Sequence, residues 1–138
     1  MIRWSCLLSF FLLFMFSIKV VVANEECQYK RSAGTYTNFS MHPDTGDLLG
    51  IEMTIIWSRN SYYVLFQSSE GEPSIPVLTK ANIENGNIYF VLPPESPYRK
   101  FKGLISPCAI KGSFSSGQLS PRGYKEFTLE KKNSYWHR

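Results

Sequence analysis

From residue 48 onward, apolar side chains return at every second position, and this period of two limits the chain to sheet. In "LLGIEMTIIWS", Ile51, Met53, Ile55 and Trp57 fall on one face, with Glu52 and Thr54 on the other. The alternation recurs in "IPVLTKANI", where Ile75, Val77, Ala81 and Ile83 share a phase opposite Lys80 and Asn82. It recurs again in "NIYFVL" (Ile88, Phe90, Leu92) and in "YKEFTLEKK" (Phe127, Leu129). "SYYVLFQ" is apolar in both phases, which predicts a strand covered on both sides. Turn-forming clusters punctuate these runs: "HPDTGD", "SRNS", "SSEGEP", "ENGN", "PPESP" and "SSGQLSPRG". Asn85-Gly86 fits a two-residue hairpin turn. With "GTYTNF" as the first strand, about eight strands follow one another, and no segment reads as a long helix. Short connections make chain neighbours antiparallel. The fold class predicted is therefore all-β: an antiparallel up-and-down meander closing into a small barrel, which leaves no edge strand exposed.

Two of these strands contain glycine at inward-facing positions. In "FKGLI" the inward phase is Phe101, Gly103, Ile105, and in "AIKGSF" it is Ile110, Gly112, Phe114. Glycine there lets a strand coil sharply, as a small closed barrel requires. The alternative is that the missing side chains leave room for a ligand. Trp57, Phe66, Phe90, Phe101, Phe114 and Phe127 are expected to fill most of the lumen.

Residues 1–23 differ in kind from the rest. Arg3 precedes the apolar "CLLSFFLLFMFSI", and "VVA" supplies small residues for cleavage after Ala23, the pattern of a signal peptide. This predicts export, to the medium or a periplasm, and a single domain over 24–138. Cys6 leaves with the leader. Cys27 and Cys108 remain, and an even pair in an oxidising compartment reads as one disulfide. Charge is uneven: residues 24–95 hold four Lys or Arg against nine Asp or Glu, whereas 96–138 hold nine against two. The second half could attract an anionic lipid surface, a polysaccharide or an acidic protein, or its charges could simply solvate outward strand positions.

"GTYTN" at residues 34–38 resembles the Gly-x-Trp-x-Asn opening of avidin-like barrels and, more loosely, the Gly-x-Trp of lipocalins, with Tyr36 in place of the tryptophan. Cys27 before this strand, and Cys108 after the "FKG" phrase, are similar in placement to the avidin cysteines. The resemblance implies an eight-stranded barrel with a mouth at one end. It would make Tyr36, Asn38 and Ser40 ligand contacts there. The tryptophans that wall a biotin site have no counterparts in "NIYFVLPP" or "IKGSF", so biotin is not the expected ligand. The general likeness is to small exported lipocalin-like proteins of bacteria.

No catalytic, metal or cofactor motif is present. His42 precedes a proline in a loop and His137 lies at the C-terminal end, neither paired in sequence with a nucleophile. "GSFSSG" lacks the spacing of a nucleophile elbow, and no phosphate loop or H-E-x-x-H occurs. No nucleic-acid motif accompanies the basic residues. Two functional readings remain. The first is a secreted, non-enzymatic binding protein that uses loops or a basic barrel face, centred on Arg99, Lys100, Lys102, Lys111 and Lys125, to engage an envelope or extracellular partner, an enzyme inhibitor being one form. The second is a carrier or sensor of a small apolar ligand held in the lumen.

Overall fold

The structure is a computed structural model and describes residues 32–116 and 126–137. The expected leader, Cys27 and Lys125 lie outside the described residues. The strands in chain order are β1 (Gly34–Thr37), β2 (Ser40–Met41), β3 (Leu48–Ser58), β4 (Ser61–Gly71), β5 (Val77–Glu84), β6 (Asn87–Val91), β7 (Tyr98–Ile105), β8 (Ala109–Ser116) and β9 (Phe127–Lys131). From β3 onward, each strand pairs antiparallel with the next. β1 closes the circle by pairing with β9 on one side and β3 on the other, Tyr36 lying opposite both Lys131 and Met53. The result is the expected eight-stranded antiparallel barrel, with β2 as one additional strand.

That extra strand arises from a break in the first stave. "GTYTNF" is regular only to Thr37; at Asn38 the side chain enters the ladder, its Oδ1 accepting the Ile51 N–H at 2.7 Å. The chain then resumes pairing with β3 as β2, Ser40 opposite Leu49. Glycine is needed across from this break. Gly50 has φ +121°, and a Cβ there would lie 2.7 Å from Asn38 Oδ1 and 2.8 Å from its carbonyl oxygen.

Connections differ sharply between the two ends. At one end β3–β4 and β5–β6 are joined by two-residue turns: Arg59 and Asn60 take φ of +48° and +59°, Asn85 and Gly86 +50° and +77°. Positive φ at both positions matches the right-handed twist of the flanking strands. β7 and β8 join at the same end through residues 106–108. At the opposite end the connections 42–47, 72–76 and 92–97 carry the acidic residues Asp44, Asp47, Glu72 and Glu95.

The inward phase supplies one apolar core that includes Tyr36, Met53, Ile55, Val64, Phe66, Ile88, Phe90, Leu92, Phe101, Ile110, Phe114 and Leu129. Aromatic rings occupy the lumen. Phe90 stacks on Phe101 at 5.0 Å, Phe114 meets Phe66 at 5.3 Å and Phe101 at 5.0 Å, and Phe127 stacks on Phe114 at 5.8 Å. Gly103 and Gly112 face each other across β7 and β8. A Cβ on Gly103 would lie 2.6 Å from the Lys111 carbonyl and 2.9 Å from the Phe101 ring, and one on Gly112 would run into the Lys102 carbonyl. The space left by the missing side chains is thus taken by Phe101 and by close backbone approach.

Three expected burials do not occur. Trp57 is 54% exposed because it sits at the end of β3, one residue before the turn, where it packs edge-on against Tyr62. Ile75 is 87% exposed because β5 starts only at Val77, after Pro76 removes a ladder donor. β4 is not covered on both sides. Val64 and Phe66 are buried, while Tyr63 is half-buried and Leu65 is 37% exposed, since among the described residues no second layer of sheet covers the outer phase of β4.

Candidate functional site

The basic strands bring three of the expected partner-binding residues onto one outer face. Lys100 and Lys102 are outward residues of β7. Lys100 stands between Val91 on β6 and Ser115 on β8, and Lys102 between Tyr89 and Ser113. Lys111 on β8 faces Leu104 and bonds to Glu126 at 3.1 Å. Neither Lys100 nor Lys102 joins an ion pair among the described residues. Beside Lys102 and Lys111 lies a groove of about 410 Å³, lined by Asn87, Ile88, Tyr89, Lys102, Leu104, Lys111, Ser113 and the Lys111 partner Glu126, together with Gly103 and Gly112; Lys100 lies outside it.

Arg99 and Tyr98 depart from this face. The β7–β8 register shifts between Tyr98 and Lys100, so Arg99 is the extra residue of a bulge; its carbonyl accepts the Leu92 N–H at 2.7 Å. Tyr98 turns inward at the long-loop end. Its ring meets Phe114 at 4.9 Å and Phe66 at 5.7 Å, and its hydroxyl donates to Glu70 at 3.3 Å. Burial, followed by the neighbouring Glu70 charge, raises its pKa above the ordinary tyrosine value. The aromatic that does stand beside the lysines is Tyr89. Its outward phase in "NIYFVL" is legible in the sequence, but its place opposite Lys102 depends on the register between two strands.

Tyr36, Asn38 and Ser40 do not converge on one cavity. Tyr36 is fully buried, and its hydroxyl donates to the carbonyls of Ser32 at 3.0 Å and Ser106 at 3.3 Å, at the tight-turn end. Burial pushes its pKa up to about 12. The ammonium of Lys131 lies 5.5 Å from the centre of its ring. Asn38 is occupied by the Ile51 amide, and Ser40 is exposed on β2.

A second outer groove, also about 410 Å³, was not foreseen; Glu52, Thr54, Leu65, Gln67, Pro76, Ser134 and Trp136 line it. It exists because the segment after β9 crosses the outside of β3 and β4. The Ser134 hydroxyl and the Tyr135 N–H donate to the Glu52 carboxylate at 2.6 and 2.9 Å, and the Trp136 indole N–H donates to Gln67 at 2.8 Å. Glu52 is consequently buried, although it points away from the lumen. No periodic signal reveals such a contact, since "NSYWHR" alternates with nothing.

Cys108 sits in the β7–β8 turn, where its carbonyl accepts the Lys131 N–H at 2.7 Å. The His42 backbone N–H donates to the Asp47 carbonyl at 2.7 Å within the 42–47 loop. Among the described residues, no three His, Cys, Asp or Glu side chains gather as metal ligands. No protein-family description, curated protein or solved structure matches the chain.

Proposed function

We propose that this chain is an exported, non-enzymatic binding protein of the small lipocalin-like and avidin-like kind, acting through the basic outer face of β6–β8 on an anionic envelope or extracellular partner. The observation that carries this reading is the pair Lys100 and Lys102, exposed on one strand and answered by no carboxylate among the described residues. Residues two apart along a strand point the same way, roughly 6–7 Å apart, and present their charge together. A lumen packed with phenylalanine rings supports this face over the alternative, a carrier that stores an apolar ligand inside. Export is supported by the leader pattern of residues 1–23.

A Cys27–Cys108 disulfide belongs to the same proposal. Its support is the course of the chain: the Tyr36 hydroxyl holds Ser32 and Ser106 together, so the segment entering β1 passes beside the turn that contains Cys108. The test of function is binding to anionic vesicles, acidic polysaccharide and acidic proteins at low and high salt, using wild type and a Lys100→Glu, Lys102→Glu variant. Exposed charges are screened over about 8 Å near physiological ionic strength, so binding should weaken as salt rises and fall in the variant. Binding indifferent to both would sink the reading, and an apolar molecule co-purifying in the lumen would replace it with the carrier.

A further inference from the structure

We infer that the groove on β6, β7 and β8 takes an acidic oligosaccharide, a sugar chain bearing carboxylate or sulfate groups. This rests on the basic-face reading above and narrows it to one ligand class. The groove combines three chemistries that such a ligand uses together. Lys102 supplies the cationic donor for the acid groups inside the groove, and Lys100, outside the lining but two residues back on the same strand face, adds to the positive field around it. Tyr89, cross-strand from Lys102 and 37% exposed, offers an aromatic face against which the C–H side of a pyranose ring can lie. Ser113 and Asn87 line the same groove and give neutral hydrogen-bonding groups for ring hydroxyls.

Competing occupants fit this surface less well. An acidic peptide bound as an added strand needs an open sheet edge, yet β6, β7 and β8 are each paired on both sides. A membrane surface favours a protruding cluster of apolar side chains ringed by charge, whereas here a single exposed leucine, Leu104, stands among Lys102, Lys111 and Ser113 in the lining of a concavity. The volume, about 410 Å³, falls in the range of roughly 300–1,000 Å³ typical of small-molecule sites. Lys111 is already held by Glu126, which leaves Lys102 as the principal cation of the groove.

The experiment is calorimetric titration of tetragalacturonate and of a heparin-derived tetrasaccharide into the wild-type protein, with an uncharged galactose tetramer and phosphatidylglycerol vesicles as further arms. Lys102→Ala, Tyr89→Ala and, as a distant control, Lys132→Ala are titrated alongside, each first checked by thermal unfolding. The expected result is salt-sensitive binding of at least one acidic tetrasaccharide and none of the neutral one. Lys102→Ala and Tyr89→Ala should each weaken it about tenfold, as loss of a charge-assisted hydrogen bond or a stacking face would, with Lys132→Ala unchanged. Failure of both acidic sugars, or equal binding by the groove variants, overturns the inference. Vesicle binding that needs the lysines, without sugar binding, overturns it too but leaves the basic face standing. Indifference of every anionic probe to salt and to the Lys100→Glu, Lys102→Glu variant sinks both.

Discussion

Two tyrosine hydroxyls, those of Tyr36 and Tyr98, bear on how the barrel meets alkali, and Tyr36 carries the large shift. Tyr36 has a folded-state pKa raised to about 12, against an ordinary value of 10.0. A raised pKa on an acid favours its neutral form in the fold, so its stabilising contribution is complete below pH 10. Above that the unfolded chain has lost the proton and the folded chain has not, and stability falls until the folded group ionises as well. Chemical denaturation at stepped pH should therefore show stability declining between pH 10 and about 12, a slope that Tyr36→Phe reduces. The same substitution should cost about 1 kcal/mol at pH 7, because it strips the Ser32 and Ser106 carbonyls of their donor. Ser69 presents the reverse case: its hydroxyl is buried with no hydrogen-bond partner among the described residues. Ser69→Ala should be neutral or stabilising by up to about 1 kcal/mol in urea melts, and clear destabilisation would reveal an unseen partner. At this scale the sequence was only partly legible. Alternation identified Phe90, Phe101 and Phe114 as inward, but it left the phase of Phe66 open and cannot tell which barrel end a side chain leans toward. Tyr36, a ligand contact by resemblance, instead has its hydroxyl on two backbone carbonyls.

Strands and turns were easier to read than individual side chains, since period and breaker residues are local properties. The Asn85-Gly86 turn was visible for that reason. The Arg59-Asn60 turn was marked only as a break, because arginine rarely takes positive φ. Its strain is testable: Arg59→Asn combined with Asn60→Gly should raise stability by about 0.5–1 kcal/mol, measured by the urea midpoint. An unchanged midpoint would mean that Arg59 gains elsewhere what the backbone loses. The facing glycines of β7 and β8 set the opposite limit. Gly112→Ala pushes a methyl into the Lys102 carbonyl and the Phe101 ring, and should destabilise by about 1–3 kcal/mol. Near-neutral substitution would show that the two strands can separate there without loss. What period could not show was the split of the first stave at Asn38, where a side-chain oxygen replaces a ladder group. Nor could it show the Ser134–Trp136 segment lying over Glu52, a contact between residues far apart in sequence.

For the molecule as a whole, the barrel was foreseeable because a regular succession of short antiparallel strands has few ways to hide its edges. The proposed binding face was not, because its side chains come together only once β6, β7 and β8 are in register. The proposed Cys27–Cys108 bridge would tie the entry of β1 to the β7–β8 turn and should contribute about 2–4 kcal/mol. Guanidinium unfolding with and without reductant measures that difference, and coincident curves would exclude the bridge. The seam that completes the barrel joins Tyr36 and Thr37 to Lys131 and Glu130, so strands from opposite ends of the sequence must meet before any edge is hidden. As the chain emerges during synthesis, β1 waits for β9 while every intervening strand appears. Until then the growing sheet carries two sticky borders into a crowded compartment. Its window of vulnerability to self-association is set by the time taken to elongate from β1 to β9 rather than by the strength of the finished barrel.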